Sequence, residues 1–260
     1  MSAATSITDV ANDDHVLNGA TWQAFGCSPA QVTSWCPPGE PKDFARPVNA
    51  EADPVTVYYG HVCSPIGETV EEATTAAANG LSLGEQTALE SWVQADVLAP
   101  EAIDITPESG PVNLLNSLRL LEAALALGYG GTGVLHVPAS FAGPLGSAGL
   151  IVPSGSTYRT WLGHTLALGA GYELNVGPGS AGTDGRWLYA TGPVAIRRGP
   201  IVTLPAAVDT AINDRYVLAE RTYVVQVECA VYAIETTGAS CCDGGSGGDG
   251  GDGNFLELEN

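Results

Sequence analysis

The sequence predicts an α+β fold, in which strands and helices occupy separate stretches of the chain. Residues 67–99 and 112–127 have helical composition with apolar stripes. The run 221–236 alternates with a period of two and has one almost wholly apolar face, which is typical of a strand packed on a core. Further short strands are predicted at 186–191, 193–197 and 201–204.

The charge balance argues against nucleic-acid binding as the main activity. The 260 residues carry 29 acidic and 9 basic side chains, a net charge of −20, so a phosphate backbone would be repelled. Residues 1–110 carry 16 of the acidic side chains and two of the basic ones, and residues 236–260 carry five acidic ones and no basic one. The near-neutral residues between them are the predicted packed body, and the acidic ends are predicted arms or tails.

Cysteines and histidines indicate no metal site. The six cysteines form no C-x-x-C pair, and we recognise no histidine beside them at a spacing typical of metal ligands. The polar start of the sequence has no signal peptide, so reduced thiols are expected, and among the possible disulfides those of Cys27 with Cys36 or Cys63 are favoured. No apolar run reaches the ~20 residues of a membrane span, so no membrane partner is expected.

Three glycine motifs match catalytic or cofactor-binding patterns, but their context disfavours those functions. Residues 80–84 match the G-x-S-x-G of hydrolases, whose serine needs a strand-to-helix turn, whereas an alanine-rich helix precedes Ser82. Residues 128–133 and 177–182 match G-x-G-x-x-G, but the first runs from helix to strand and no helix follows the second. We expect no catalytic residue, no cofactor and no enzymatic activity.

The remaining elements follow in chain order. A proline-rich arm that orders on contact is predicted for residues 1–54, and a strand follows at 54–63. The helical stretch 67–99 is predicted to break at Asn79-Gly80 and to restart at Ser82 as N-cap, with Glu85 completing a capping box. Further predictions are strands at 133–138, 150–152, 160–167 and 172–176, and a flexible glycine-rich tail at 238–260.

This succession of elements resembles a known family. The helix LGEQTALESW follows an acidic arm, the helix LLNSLRLLEAALALGYGG leads into the strand GVLHVP, and TWLGHTLALGAGY precedes WLYATGPVAIRRGP and NDRYVLAERTYVVQVECAVYAIET. Over residues 55–236 the order is similar to that of the capsid proteins of tailed bacteriophages, in particular virion proteins of phages that infect actinobacteria. The likeness rests on the order of the elements and on the general character of the sequence.

The resemblance implies the Hong Kong 97-like fold, which encapsulin shells also use. In this chain 55–63 would fall in the extended loop, 84–98 in the spine helix, 112–127 with 133–138 in the axial domain, and 221–235 in the peripheral sheet. The implied divisions are an N-terminal arm at 1–54, an extended-loop region at 55–66, a spine helix and linker at 67–110, a mainly axial domain at 111–185, a peripheral-domain sheet at 186–237 and a flexible tail at 238–260.

The same resemblance implies a structural function. The chain would be the major capsid protein, which self-assembles as hexamers and pentamers into the icosahedral head shell around the phage genome, without sequence-specific nucleic-acid binding. Portal or decoration proteins would be further partners, and virions would assemble in the bacterial host cytoplasm. The alternatives are a minor or pentamer capsid protein, a tail-tube or connector protein, or an encapsulin-type compartment shell.

Contacts between subunits are expected at charged and aromatic side chains. Arginines in the C-terminal half would attract the acidic N-terminal half of the next subunit, and tryptophans of the arm would anchor on a neighbouring surface. The predicted contact residues are Trp22, Trp35, Arg186, Arg197, Arg198, Asp214, Arg215, Glu220 and Arg221.

Overall fold

A computed structural model describes residues 5–24, 48–180, 185–204, 206–228 and 230–237 of the chain. Residues 25–47 of the predicted arm, which include Trp35, Cys27 and Cys36, lie outside the described residues, as does the predicted tail at 238–260. Within the described ranges, no helix is long and apolar enough to cross a membrane.

The described residues form fifteen strands and four α-helices. The strands are β1 (Ser6–Asp9), β2 (Ala20–Ala24), β3 (Val48–Ala52), β4 (Pro54–Cys63), β5 (Ile103–Asp104), β6 (Val134–Pro138), β7 (Ile151–Ser154), β8 (Thr157–Thr160), β9 (Thr165–Gly169), β10 (Arg186–Thr191), β11 (Val194–Arg198), β12 (Val202–Thr203), β13 (Ala207–Asp209), β14 (Asp214–Val227) and β15 (Val231–Thr236). The helices are α1 (Val70–Trp92), α2 (Ala99–Glu101), α3 (Leu114–Gly128) and α4 (Ala142–Ser147), and a π-helical turn (Val93–Leu98) joins α1 to α2.

The first sheet is built around β14, the longest strand. β14 pairs antiparallel with β11, β12 and β13, and the whole of β4 pairs with it from Arg215 to Val224. β1 extends the sheet by pairing in parallel with β11, and β2 pairs with β3 in a separate two-stranded sheet. Residues 6–9 and 20–24 of the predicted arm are therefore ordered as strands within the subunit itself.

The second sheet has the strand order β5-β15-β10-β6-β9-β8-β7. Every residue of β6 is buried, which confirms the short buried strand that the sequence predicts. Helix α3 covers one face of the sheet, and its N-cap Asn113 accepts a hydrogen bond from the Asn116 backbone N at 2.9 Å. Its buried leucines are Leu114, Leu118, Leu121 and Leu125.

The long run predicted at 221–236 is two strands in different sheets. β14 ends at Val227 in the first sheet, and β15 begins at Val231 in the second. The chain turns between them, where Ala230 has a φ of 75°. The predicted single sheet over 186–237 is likewise divided, because β10 and β15 belong to the second sheet and β11 to β14 to the first.

A two-stranded ribbon connects the two sheets at this point. Thr191 pairs with Val231 in the second sheet, and Val194 pairs with Val227 in the first. Between these pairs, the Gly192 N donates to the Ala230 carbonyl at 3.3 Å, and the Glu228 N donates to the Pro193 carbonyl at 3.0 Å. The pairing of the two chain segments is thus maintained across the change of sheet.

Helix α1 is continuous, so the predicted break at Asn79-Gly80 and the N-cap at Ser82 are wrong. The helix starts at the N-cap Thr69, which forms a capping box with Glu72, and the Ser82 hydroxyl donates to the Ala78 carbonyl in the helix interior at 2.9 Å. Tertiary packing outweighs the low helix propensity of glycine, because Ala73, Ala77, Leu81 and Leu89 of this helix are all buried.

Two short strands predicted between 139 and 185 also differ. β8 ends at Thr160 and β9 begins at Thr165, and the turn between them passes through Gly163 with a φ of 91°. The run predicted at 172–176 is a 3-10 helix (Gly171–Leu174) that ends at Asn175 in the left-handed conformation. Both differences arise at residues that tolerate positive φ, which extended strands do not use.

Two buried polar side chains hold the 3-10 helix (Gly171–Leu174), one from α1 and one from the second sheet. Glu90 of α1 is fully buried and accepts hydrogen bonds from the Gly171 N at 3.1 Å and from Gln86 Nε2 at 2.9 Å. His136 of β6 lies between the Tyr172 hydroxyl at 2.8 Å and the Thr191 hydroxyl at 3.0 Å. Burial lowers the pKa of His136 to about 3, so its imidazole is neutral at physiological pH.

We expect Gly171→Ala to destabilise the subunit. A Cβ at this position would lie 2.4 Å from the Thr87 carbonyl oxygen and 2.4 Å from Glu90 Cβ, so α1 would have to move. The expected loss in the free energy of unfolding is about 1–3 kcal/mol. Urea denaturation measures it, with Gly84→Ala on the open side of α1 as the control that should gain about 0.5–1 kcal/mol.

We expect His136 to make the subunit less stable in acid. The pKa of this histidine is about 3 in the folded chain and about 6.5 in an unfolded one, so between these pH values the unfolded state binds the proton more tightly. Stability should therefore fall as pH drops from about 6.5 towards 3. His136→Asn should flatten that fall by up to about 1.4 kcal/mol per pH unit in urea unfolding series, and His15→Asn should leave it unchanged.

Candidate inter-subunit surfaces

Three of the arginines predicted as subunit contacts, Arg186, Arg198 and Arg221, form ion pairs within the chain. Arg198 of β11 donates to Asp9 of β1 from Nε at 2.7 Å and from Nη2 at 3.2 Å. This hydrogen-bonded arginine lowers the pKa of the Asp9 carboxyl. The predicted attraction between an arginine and the acidic N-terminal segment thus occurs between β11 and β1 of one subunit.

Arg221 of β14 forms the second internal pair, with Glu85 of α1. Its Nη1 lies 2.9 Å from each Glu85 carboxylate oxygen, and the Tyr223 hydroxyl donates to the same carboxylate at 2.6 Å. The side chains of Arg221 and Glu85 are only 15% and 14% exposed. Burial, with the hydrogen bond to Glu85, raises the pKa of Tyr223 to about 12. These contacts fasten α1 to the first sheet.

Arg215 and Arg186 also have partners within the chain. Arg215 is buried, and its Nη1 donates to the Glu68 carbonyl at 2.7 Å. Arg186 is half exposed, with its Nη1 3.7 Å from the Glu173 carboxylate. Among the described residues, no ion pair involves the remaining predicted charges, Arg197, Asp214 and Glu220.

Trp22 lies in a groove between the β2–β3 pair and the end of α1. The groove has a volume of about 680 Å³, and Trp92 also lines it. Five acidic residues line the groove together with the two indoles, so a basic ligand would find several carboxylates to pair with there. These are Glu51, Asp53, Asp96, Glu101 and Glu228. The groove therefore fits a cationic side chain, which could stack on an indole and face the carboxylates.

Sequence reasoning missed several large apolar side chains that are exposed on the surface. Trp161 and Leu162 form the turn between β8 and β9, with 76% of Trp161 exposed and its Nε1 donating to the Gly149 carbonyl at 2.9 Å. Tyr58 and Ile66, at and just beyond β4, are 71% and 80% exposed. Large apolar side chains held on a surface are typical of protein contact sites. The sequence signal was hidden, because 160–167 has the composition of a strand.

The glycine motifs serve packing in the structure. Ser82 lies inside α1, so the turn that a hydrolase nucleophile requires does not form there. Gly133 follows α3 and precedes β6, and a Cβ at Gly133 would lie 2.0 Å from the Thr191 carbonyl oxygen. The glycine is required by that close backbone approach. Gly182 of the third motif lies outside the described residues.

Comparison with known proteins identifies the fold. No protein-family model and no curated protein matches the sequence. Among solved structures, the capsid of a native GTA particle is similar with a TM-score of 0.55 and 10% identity, covering 91% of this chain and 89% of that chain. A virus-like particle from Pyrococcus furiosus has a TM-score of 0.51 and 10% identity over 90% of both chains.

The SrpI encapsulin of Synechococcus elongatus is similar too, with a TM-score of 0.52 and 9% identity over 92% of this chain and 87% of that chain. Likenesses of this extent at such low identity establish a shared fold. The chain therefore has the α+β Hong Kong 97-like capsid fold, which confirms the fold that the sequence predicts.

We expect Glu85→Gln to weaken the attachment of α1 to the first sheet. The change removes the negative charge that faces the largely buried Arg221 guanidinium. The expected loss in the free energy of unfolding is about 2–4 kcal/mol, because a poorly solvated cation would lack its counter-ion. Urea denaturation measures it, and the exposed Glu108→Gln is the control that should change stability by less than about 0.5 kcal/mol.

Proposed function

We propose that this chain is a structural virion protein, the major capsid protein of a phage head. The single observation that carries this proposal is the capsid fold, which spans 90–92% of the chain in each of the three comparisons. Copies would assemble as hexamers and pentamers into an icosahedral shell around the genome. The strongly acidic chain supports enclosure of the genome without base recognition.

The topology supports two domains that are each built from separate segments of the chain. In this proposal the first sheet with α1 is the peripheral domain and its spine helix, and the second sheet with α3 is the axial domain. β4 and the residues up to 66 belong to the extended-loop region. The axial domain then takes β10 and β15 from within residues 186–237, and the peripheral domain keeps β11 to β14.

Contacts between subunits are proposed at groups without an ion-pair partner in the described chain and at the apolar patches. Arg197 is the basic partner for the acidic groove that contains Trp22 on the next subunit. Asp214 and Glu220 remain as further charged contacts, and Trp161 supplies apolar area. Arg198, Arg215 and Arg221 act chiefly within the subunit, because their described partners lie there.

The proposed role is structural and has no catalytic step. The chain would reside in the virion after assembly in the host cytoplasm. Portal or decoration proteins are the further partners of the proposed shell. An encapsulin-type compartment is the second candidate, because the encapsulin comparison covers as much of the chain as the others. The two candidates differ in cargo, which is nucleic acid for a head and protein for a compartment.

Expression of the full chain tests the proposal. We expect sedimentation and negative-stain electron microscopy to show closed particles of megadalton mass, since apolar patches such as that at Trp161 are exposed in the lone subunit. Nucleic acid in particles purified from infected cells would identify a phage head, and enclosed protein a compartment. A monomer at assembly concentrations, absent from purified virions, would overturn both candidates.

The acidic groove has a separate variant test. Arg197→Glu places like charges at the proposed contact, so we expect particle yield to fall at least about tenfold at low salt while the subunit still folds. Arg119→Glu, an exposed site on α3, is the control with the same charge change. Equal particle yields for the two variants would remove Arg197 from the contact and leave the shell proposal standing.

A further inference from the structure

Three side chains with metal-binding chemistry meet where β4 ends and α1 begins. His61 and Cys63 are two residues apart on β4, so they project from the same face of the strand, and Glu68 immediately precedes the N-cap of α1. Their ligand atoms all lie within 4.8 Å of one another. His61 Nε2 is 3.1 Å from one Glu68 carboxylate oxygen and 3.3 Å from the other.

We propose that His61, Cys63 and Glu68 bind a divalent transition-metal ion of the zinc class. A tetrahedral zinc ion has bonds of about 2.0–2.3 Å to nitrogen, oxygen and sulfur, which places its ligand atoms about 3.5 Å apart. The separations in this cluster bracket that value, so small rotations of the side chains bring all three onto one ion. All three side chains are partly exposed, which gives an ion access from solvent.

The donor set selects the kind of ion. One imidazole, one thiolate and one carboxylate form a mixed nitrogen, sulfur and oxygen set, which suits zinc or cobalt. Magnesium and calcium prefer oxygen ligands throughout and would gain nothing from Cys63. Three protein ligands leave the fourth tetrahedral position to water. Binding replaces the Cys63 thiol proton, which passes to solvent, with the metal–sulfur bond.

Arg215 is the charged group that faces this cluster from β14. It pairs with Cys63 in the strand register, and its Nη1 donates to the Glu68 carbonyl at 2.7 Å. The arginine fixes the backbone of a ligand residue. Its single positive charge is outweighed by the two negative charges that the thiolate and the carboxylate present to the ion. The bound ion would link the end of β4 to the start of α1 across residues 64–67.

The C-x-x-C pattern typical of zinc sites does not include this cluster, in which a histidine and a cysteine are two residues apart. The H-x-C spacing at 61–63 is a ligand pair only on a strand, where residues two apart share a face. The third ligand depends on the turn that returns Glu68 to the strand end. The proposal does not depend on shell assembly, because all three ligands belong to one subunit.

Protection from alkylation tests the site in the unaltered full chain. We expect stoichiometric Zn²⁺ to slow iodoacetamide labelling of Cys63 at least about tenfold, because the metal-bound thiolate is withdrawn from attack. Peptide mass spectrometry reads each cysteine separately, so labelling of Cys27 or Cys36 serves as the internal reference. Equal labelling rates for Cys63 with and without zinc would show a hydrogen-bonded cluster only and would overturn the proposal.

Cobalt spectroscopy tests the ligands one by one. In a parent carrying Cys241→Ser and Cys242→Ser, which removes the vicinal pair, we expect Co²⁺ to give thiolate-to-metal absorption with tetrahedral d–d bands. Cys63→Ser should abolish the thiolate absorption, and Cys229→Ser should keep it. His61→Asn should weaken the affinity at least about 100-fold, and the control His15→Asn should not. Spectra unchanged by Cys63→Ser would contradict the site.

Discussion

The structure depends on how α1 is held between the two sheets. Two carboxylates on this helix point to different partners, since Glu85 meets Arg221 and Tyr223 of the first sheet and Glu90 accepts from the Gly171 N beside the second. Apolar packing supplies most of the stabilisation, but these polar contacts fix the rotation and position of the helix. A displaced α1 would leave Glu90 buried without its hydrogen bonds, which is costly.

The side chains that are left to contact partners lie on the surface of the subunit. In the described part of the chain, several buried polar groups, such as His136 with Tyr172 and Thr191, hold elements together. The features that remain for partners are the acidic groove with Trp22, the exposed turn at Trp161 and the side chains of β4. Exposed apolar side chains of this size are typical of surfaces that contact other proteins.

The sequence pattern correctly predicted those helices and strands that depend mainly on residues near one another in the chain. The β-rich composition of β10 and β11 and the leucine stripe of α3 were sufficient, as was element order for the fold as a whole. The continuity of α1 was missed, because the burial of Ala77 and Leu81 that outweighs Gly80 is a tertiary effect. The pairing of Asp9 with Arg198 joins residues that are far apart in sequence, so it could not be read from spacing.

The ribbon that passes from one sheet to the other at Gly192-Pro193 has a practical consequence. Both sheets draw strands from the same two stretches of chain, β10 with β11 and β14 with β15, so neither layer is a contiguous piece of sequence. A C-terminal truncation that begins anywhere between the start of β10 and the end of β14 would strip strands from both layers at once. Half-molecules of this protein should therefore not be obtainable by cutting the gene.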